Sequence, residues 1–388
     1  MMQIQTMNKI DPAGLAILEQ DGFQVGDTVD APEGLLLRSA KIHDMEFPAS
    51  LLAIARAGAG TNNIPVDRCA QAGIVVFNTP GANANAVKEL AIAAMLLASR
   101  NIIGGSDWVR EQAAAGVDVA AAVEKGKSAF VGPEIMGKTL GVVGLGAIGV
   151  LVANTAIAMG MEVIGYDPYL SVETALRLDR HVRIVKDESI LWKSSDYVTL
   201  HLPYMPQTKD TVNAQVLAEM KEGVRVINLA RGELVNDEAM LAALESGKVA
   251  CYVTDFPNSR IVTDPRVVAI PHLGASSPES ERNCAVMAAQ ELVDYLENGN
   301  IRNSVNFPSA VMDRGGAARV CVIHRNVPSV LASLTAALSQ QGLNIENLTN
   351  KSAKEYAYTM VDVDGDVSAD TEAAIRGLEN VIRVRVLH

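Results

Sequence analysis

The sequence predicts an α/β protein: two doubly wound parallel-sheet domains followed by a small βαββαβ module. Three observations predict it. Short apolar runs alternate with helix-like stretches through most of the chain. A glycine cluster, Gly144–Gly149, sits where one such strand meets a helix. After a Pro/Asn/Gly-rich connector, Asn300–Gly316, the alternation changes register. Apolar strands separated by helices are the pattern of a parallel sheet covered on both faces.

The elements follow in order. GLLLRS (34–39), LLAIARA (51–57) and IVVFN (74–78) read as buried strands with turn chemistry behind them. VKELAIAAMLLASR (87–100) lacks Gly and Pro and reads as a helix. The small and charged residues of Ala113–Ser128 suggest a surface segment. KTLGVV (138–143) is a strand running into the glycine cluster. Further strands are expected at Glu162–Tyr166, Tyr197–His201, Val224–Leu229, Val249–Thr254 and Val267–Ile270, most of them separated by helices. Glu281–Asn298 is a long helical pattern that stops at Gly299. Beyond the connector come a strand (Arg319–His324), a helix (Pro328–Gln340), two strands (Leu343–Ser352, Tyr356–Asp362), a helix (Ala369–Leu378) and a strand (Ile382–Leu387). That order is ferredoxin-like.

Composition narrows the function classes. The 388 residues allow two or three domains. Lys plus Arg is 33 against 45 Asp plus Glu, a net charge of −12, and aromatics are 4%. No basic footprint or stacking platform for nucleic acid is present. A local cationic pocket still decides whether an acidic substrate binds. At 49% hydrophobic, the chain is not disordered. Cys69, Cys251, Cys284 and Cys321 show no CxxC or Cys/His ligand spacing, so no metal site is expected. The opening residues lack a basic stretch followed by an apolar core, and the longest apolar run, Leu90–Ala98, is far short of a membrane span. The expectation is a cytoplasmic protein without disulfides.

Gly144-Leu145-Gly146-Ala147-Ile148-Gly149 is a GxGxxG between a strand and an Ala-rich helical stretch, Val150–Met161. A second strand ends at Asp167, 18 residues after Gly149. This is the Rossmann-like dinucleotide fingerprint. Gly144 permits the tight turn, Gly146 lets backbone approach a pyrophosphate, and Gly149 lets the helix pack on the strand. The helix N-terminus holds the diphosphate. Asp167 can accept from ribose hydroxyls and would repel a 2′-phosphate. No Arg or Lys follows it within five residues, so NAD is expected rather than NADP.

Hydride transfer between an alcohol and a ketone needs a proton donor or acceptor titrating near neutrality. Of the six histidines, His43 among them, His388 is terminal, His181 sits in a charged loop and His324 lies in the C-terminal module, while His201 and His272 both follow strands. Ligands of open α/β sheets bind beyond such strand ends. Position alone does not decide between these two. Arg231, just after the strand ending in Asn228-Leu229, can grip a carboxylate through two parallel N–H···O bonds.

Residues 50–310 resemble the D-2-hydroxyacid dehydrogenase family. The matching motifs are Arg56-Ala57-Gly58 with Asn62-Asn63-Ile64, Asn78-Thr79-Pro80, Gly144–Gly149, His201-Leu202-Pro203, Asn228–Gly232 and Pro271–Ala275. Pro271–Ser276 and the appended module point to the branch that oxidises 3-phospho-D-glycerate to 3-phosphooxypyruvate. The resemblance implies that His272 is the general acid–base and that Arg231 holds the substrate carboxylate and the reacting oxygen. Thr79, Gly144, Gly146, Ala147, Ile148, Gly149, Asp167, Pro203, Leu229, Ala230, Asp255, Gly274 and Ala275 would line the NAD site, with Asp255 near the nicotinamide amide. Arg56, Ala57 and Gly58 would touch substrate, and Arg38-Ser39 is the candidate for its phosphate. The implied domains are 1–98 with 283–310 for substrate, 99–282 for NAD, and 317–388 for regulation. The last resembles an ACT domain through His324-Arg325-Asn326-Val327-Pro328-Ser329-Val330 and Leu343-Asn344-Ile345. His324, Asn326 and Asn344 would then contact L-serine between two subunits of a homodimer or homotetramer. Ser329 stands where that family usually has glycine.

One departure matters. The family carries a glutamate a few residues after the aspartate of a DVFxxEP stretch, paired with the histidine. Here the segment reads Asp255-Phe256-Pro257-Asn258-Ser259-Arg260, and counting from Asp255 puts Arg260 at the acid's place. An arginine there would depress the His272 pKa. Glu233 or Asp264 could substitute, or His272 works without a partner. The expectation is that His272 titrates lower than in relatives having the glutamate. Two alternatives stay open: a glyoxylate or hydroxypyruvate reductase, and a non-catalytic NAD-sensing regulator.

Overall fold

The computed structural model describes residues 1–388. Two compact units emerge, Met1–Asn83 with Pro278–His388, and Ala84–Ser277. The sequence reading draws its lines after residues 98 and 282 and sets the C-terminal module apart.

The first unit opens with β1 (Gln3–Met7), α1 (Pro12–Gln20), β2 (Gln24–Gly26), β3 (Gly34–Leu37), β4 (Ala53–Arg56), α2 (Val66–Gln71) and β5 (Val75–Asn78). Every pairing is parallel, in the order β2-β1-β3-β4-β5. β3 is buried at all four positions, as expected of a strand covered on both faces. β1 and α1 have no such apolar run. Only Ile4 of β1 is buried. Helix α1 starts because the Asp11 side chain accepts from the Ala13 N–H and Pro12 occupies the first turn.

The second unit contains α3 (Ala84–Ser99), α4 (Ile102–Ala114), α5 (Val119–Gly126), β6 (Thr139–Val143), α6 (Ala147–Ala158), β7 (Glu162–Tyr166), α7 (Val172–Leu176), β8 (Arg183–Ile184), α8 (Glu188–Ser194), β9 (Tyr197–Leu200), α9 (Ala214–Glu219), β10 (Val224–Asn228), α10 (Asp237–Glu245), β11 (Val249–Thr254) and β12 (Val267–Ala269). Its seven parallel strands lie in the order β12-β11-β10-β9-β6-β7-β8. The order reverses at β6, which has β7 on one side and β9 on the other. That is the switch point where such sheets open a crevice. The stretch read as a plain surface segment is helical. Asn101 caps α4 and Asp118 caps α5, and neither helix has a buried residue. Caps and alanine propensity build these helices without burying a residue.

The chain returns to the first unit through α11 (Pro278–Asn298). Residues 303–306 then lie antiparallel beside β5: Phe77 bridges Ser304, and the Val305 N–H donates to the Val76 carbonyl at 2.9 Å. The module follows as β13 (Ala318–Arg325), α12 (Val330–Gln340), β14 (Ile345–Ala353), β15 (Tyr356–Val363), α13 (Ala369–Arg376) and β16 (Val381–Leu387). Its antiparallel sheet has the order β14-β15-β13-β16. One face, with Val320, Val322, Val361 and Val363, packs on Leu334 and Leu338 of α12 and Ile375 of α13. The other face, with Cys321, Ile323, Tyr358 and Met360, joins the core built on Leu292, Tyr295 and Leu296 of α11. No helix of the protein is long and apolar enough to cross a membrane.

Mid-α11, Glu291 is 6% exposed and accepts from Asn303 Nδ2 at 2.6 Å, while its second oxygen has no partner. Burial pushes its carboxyl up to about 7. The folded state therefore holds a proton that the unfolded chain releases near pH 4.5. Stability is expected to fall as pH rises through that window, by up to about 1.4 kcal/mol per pH unit, and to level off above it. Glu291→Gln keeps an acceptor for Asn303 and removes the proton. Urea melts of both proteins from pH 4.5 to 8 check this: the variant should lose the slope and gain stability at pH 8. Parallel pH profiles would rule the effect out.

Candidate active site

The glycine loop closes β6 onto α6. Gly144 has φ +92°, and a side chain there would meet the His201 carbonyl oxygen at 2.5 Å. A Cβ at Gly149 would strike the Gly144 carbonyl, so the helix can seat on the strand only with glycine. At Gly146 nothing lies within 4 Å of where a Cβ would be, leaving open space over the backbone. No side chain caps α6, so the first-turn N–H groups of Ala147 and Ile148 face that space unsatisfied by the chain. Asp167 Oδ2 accepts from the Leu145 N–H at 2.9 Å, and Oδ1 from the Tyr169 N–H at 2.8 Å. Each oxygen keeps acceptor capacity for a ribose hydroxyl. Pro203 is exposed just beyond β9, and Leu229 is buried with Ala230 half-buried just beyond β10. These features fit a dinucleotide.

Two strand-end loops supply the reactive groups. Asn228, fully buried at the end of β10, pins its own loop. Nδ2 donates to the Arg231 carbonyl at 2.8 Å, and Oδ1 accepts from the Ala230 N–H at 3.2 Å. The Arg231 guanidinium, also bonded to the Ala230 carbonyl at 2.6 Å, lies 5.7 Å from the Phe256 ring centre. The exposed His272 ring stacks on the same phenyl group, 4.5 Å between centroids and tilted 48°. Imidazole and guanidinium thus share one aromatic platform. Sequence reasoning gives Phe256 no role. An aromatic placed directly after a strand-end acid is the available signal.

Asp255, 1% exposed, lies at the foot of this platform, and neither carboxyl oxygen has a hydrogen-bond partner of ordinary geometry. Burial pushes its pKa up, opposed by the His272 imidazole, the Gly274 N–H and Arg231. Oδ2 is 3.5 Å from where a Cβ on Gly274 would sit. An acceptor buried without a donor fits a nicotinamide carboxamide, which brings an NH₂. His201 is different. Its Nε2 meets Thr199 Oγ1 at 3.0 Å, and burial pushes its pKa down to about 4. It is neutral at physiological pH, a distinction the sequence could not make. The acids considered as partners of His272 are otherwise engaged or exposed. Asp264 is bonded to Arg266 at 2.6 and 2.8 Å, and Glu233 is exposed. Arg260, at the place of the missing glutamate, ends on Glu238 at 2.9 Å. Asp255 is the carboxyl that feels His272.

In the first unit, the carboxyl ends of β3, β4 and β5 bring Arg38, Ser39, Arg56, Ala57, Gly58 and Thr79 together. Arg56 Nε donates to the Arg38 carbonyl at 3.1 Å, Ala57 N–H to Leu37 at 2.8 Å, and Thr79 N–H to Gly58 at 3.2 Å. Gly58 has φ +147°, and a Cβ there would run into the Arg56 guanidinium. Both expected phosphate ligands already have internal partners. Arg38 Nη2 pairs with Glu281 Oε1 of α11 at 2.7 Å, and the Ser39 N–H donates to Asn8 at 3.0 Å.

In the module, His324 is buried with both ring nitrogens engaged: Nδ1 with the Arg325 carbonyl at 2.8 Å, and Nε2 with Thr359 Oγ1 at 2.9 Å. Asn326 Nδ2 donates to the Lys354 carbonyl at 3.1 Å. Asn344 does not join them. It precedes Ile345, which pairs with Val363 at the level of Ala318. His324 is six residues further along β13, about 20 Å at 3.4 Å per residue. One copy of the chain does not bring the three together. Ser329 has φ +71°, a left-handed conformation that explains why glycine suits this position.

Residues 92–274 match the family model for the D-isomer specific 2-hydroxyacid dehydrogenase NAD binding domain. The chain is 35% identical over 338 residues to a D-3-phosphoglycerate dehydrogenase of Synechocystis sp., covering 81% of this chain and 57% of that protein. It thus spans little more than half the length of that relative. It is 34% identical over 342 residues to the D-3-phosphoglycerate dehydrogenase of Escherichia coli, covering 85% of this chain and 80% of the relative. The crystal structure of NAD⁺-bound 3-phosphoglycerate dehydrogenase from Entamoeba histolytica superposes with a TM-score of 0.61 at 27% identity, covering 79% of this chain and 98% of that one. The open glycine cradle, the strand-end aspartate and these likenesses agree, and the chain belongs to the D-2-hydroxyacid dehydrogenase family, whose NAD binding domain it carries.

Proposed function

We propose that this chain oxidises 3-phospho-D-glycerate to 3-phosphooxypyruvate with NAD, the first step of L-serine biosynthesis. The observation that carries the reading is the shared seat of Arg231 and His272 on Phe256, beside Asp255, in the unit with the glycine cradle. Bound NAD supplies a hydride acceptor, held by the loop Gly144–Gly149, Asp167 and Asp255. His272 takes the proton of the substrate's C2 hydroxyl. Arg231 grips the carboxylate and stabilises charge developing on the reacting oxygen. The negative form of Asp255 favours the imidazolium that results, the work for which relatives use a glutamate. Arg56 and Arg38 receive the phosphate end, Arg38 after giving up Glu281.

By function the chain divides into a substrate domain (1–98 and 283–310), an NAD domain (99–282) and an ACT-like module (317–388). It works as a homodimer or homotetramer: α4 and α5 bury nothing, and α4 with the turn that follows it exposes Ile102, Ile103 and Val117. Any L-serine site using His324, Asn326 and Asn344 needs two copies, because a single module holds them at opposite ends. A cytoplasmic location suits the four free thiols.

A substrate panel tests the reaction. NADH formation is measured with 3-phospho-D-glycerate, D-glycerate and D-lactate, and NADH consumption with glyoxylate and hydroxypyruvate. The phosphorylated substrate should give a kcat/KM at least about 100-fold above its unphosphorylated analogue, as expected when paired guanidinium charges contribute about 3 kcal/mol. Preference for glyoxylate or hydroxypyruvate would transfer the chain to the reductases. NAD binding without turnover on any substrate would make it a sensor.

A further inference from the structure

We propose that Arg319, Arg385 and Tyr358 of the C-terminal module are positioning residues for the anionic end of the substrate, acting through α11. For the identity of that substrate the inference rests on the proposed function. Its structural basis lies wholly within the first unit.

A helix ends with carbonyls that have no partner inside it. At the end of α11 the module and the connector donate to five carbonyls in succession, the first of which, Tyr295, also accepts from the Gly299 N–H at 2.9 Å. Arg385 donates to the carbonyls of Tyr295 at 3.1 Å and Leu296 at 2.7 Å. Arg314 donates to Glu297 at 3.1 Å, Arg319 to Asn298 at 2.8 Å, and the Tyr358 hydroxyl to Gly299 at 2.6 Å. The three guanidinium groups also place positive charge at the negative end of the helix dipole. The Arg385 guanidinium lies over the Tyr295 ring, 4.6 Å from its centre, and Arg319 pairs with Asp362 at 2.6 Å. Arg319, Arg385 and Tyr358 are buried and come from β13, β16 and β15, while Arg314 of the connector is exposed.

The other end of α11 is the end that reaches the substrate arginines. Glu281, in its first turn, holds Arg38, and Cys284 one turn on is close enough to feel Arg56 and Arg38. The helix has 21 residues, about 31 Å at 1.5 Å per residue. Its buried side carries Ala285, Ala288 and Ala289, where a Cβ on Gly14 would sit 2.7 Å from the Ala285 carbonyl, and then Leu292, Tyr295 and Leu296, which share one core with Cys321, Ile323, Tyr358 and Met360 of the module. This close packing blocks sideways movement. Side chains and carbonyls of the C-terminal half of α11 are thus seated together on the module, and that seat fixes the helix's axial position. The module thereby sets where Glu281 presents its carboxylate, and so where Arg38 stands when phosphate arrives.

Tyr358→Phe removes one bond of the grip without changing volume, and Arg385→Lys keeps the charge but loses the fork. Both are compared with the unaltered chain in three readouts: KM for the phosphorylated substrate, KM for NAD, and amide exchange of residues 281–285. The expected result is a three- to tenfold rise in KM for the phosphorylated substrate, an unchanged KM for NAD, and faster exchange in the first turn of α11. Folded variants with unchanged substrate KM and unchanged exchange at 281–285 overturn the proposal. So does a parallel rise in both KM values, which marks general loosening. If the unaltered chain does not turn over 3-phospho-D-glycerate, the functional reading fails on its own, and the exchange measurement alone decides whether the grip reaches Glu281.

Discussion

Under the proposed function, replacing His272 with alanine is expected to lower turnover with 3-phospho-D-glycerate by about 10³-fold, within the range that a positioned general base supplies. The affinity for NAD changes far less, because the glycine cradle and Asp167 lie elsewhere on the sheet and His272 touches Phe256 rather than the loop. Initial rates of NADH formation and NAD titrations on the same preparations check both halves. Equal losses in turnover and NAD affinity would show that the ring merely props the loop. His201→Ala is the control of the same residue type. Burial pushes its imidazole down to about 4, so it is a poor proton acceptor near neutrality, and its loss should leave turnover far less affected.

Arg319→Met, with Asp362 left in place, is expected to destabilise the first unit by about 3–5 kcal/mol, the cost of leaving one partner of a buried ion pair alone. Both side chains are 0% exposed. Arg319 Nε and Nη2 meet the two Asp362 oxygens at 2.6 and 2.8 Å, and the remaining protons go to the carbonyls of Asn298, Met312 and Asp313. Removing the cation therefore strands a carboxylate that retains only the Gly315 N–H, and leaves three carbonyls short of a donor. The double variant Arg319→Met/Asp362→Leu should recover a large part of the loss, since an apolar pair no longer carries the desolvation cost. Urea unfolding followed by near-ultraviolet signals from Tyr295 and Tyr358 reads it. A loss under about 0.5 kcal/mol for the single variant, the level of a surface change, would contradict the buried pairing.

The parts of the fold that show in the sequence are those where one local signal suffices. Runs such as Leu35–Leu37 and Ile74–Phe77 are apolar because both faces are covered, and they appear as strands at the expected places. The glycine cluster is legible because steric demand fixes two of its members, a positive φ at Gly144 and a carbonyl against Gly149, while Gly146 leaves room over the backbone. Strand β1 is not legible, since it joins the sheet with a single buried side chain. The docking of the module is hidden for a different reason. Arg319, Asp362 and Arg385 lie on the strand face that meets α11, and charged residues on a strand read as a wet surface. Their burial is possible only because each guanidinium finds carbonyls or a carboxylate across the interface. At the site, motif order singles out His272 and Arg231 in the sequence, and the structure seats both beside Phe256. Phe256 is silent because an aromatic beside a strand end looks like core, and only its place between two chemistry-bearing side chains gives it a role.

The most direct measurement of the central claim is a double-variant cycle on kcat with 3-phospho-D-glycerate and NAD, using Arg231→Ala, His272→Ala and the pair. Two groups that act on one reacting oxygen from a common platform are expected to be strongly non-additive, the pair losing little more than the worse single variant. Losses that simply multiply, or a His272→Ala enzyme with undiminished kcat, would mean that the imidazole and the guanidinium on Phe256 do not serve the same chemical step.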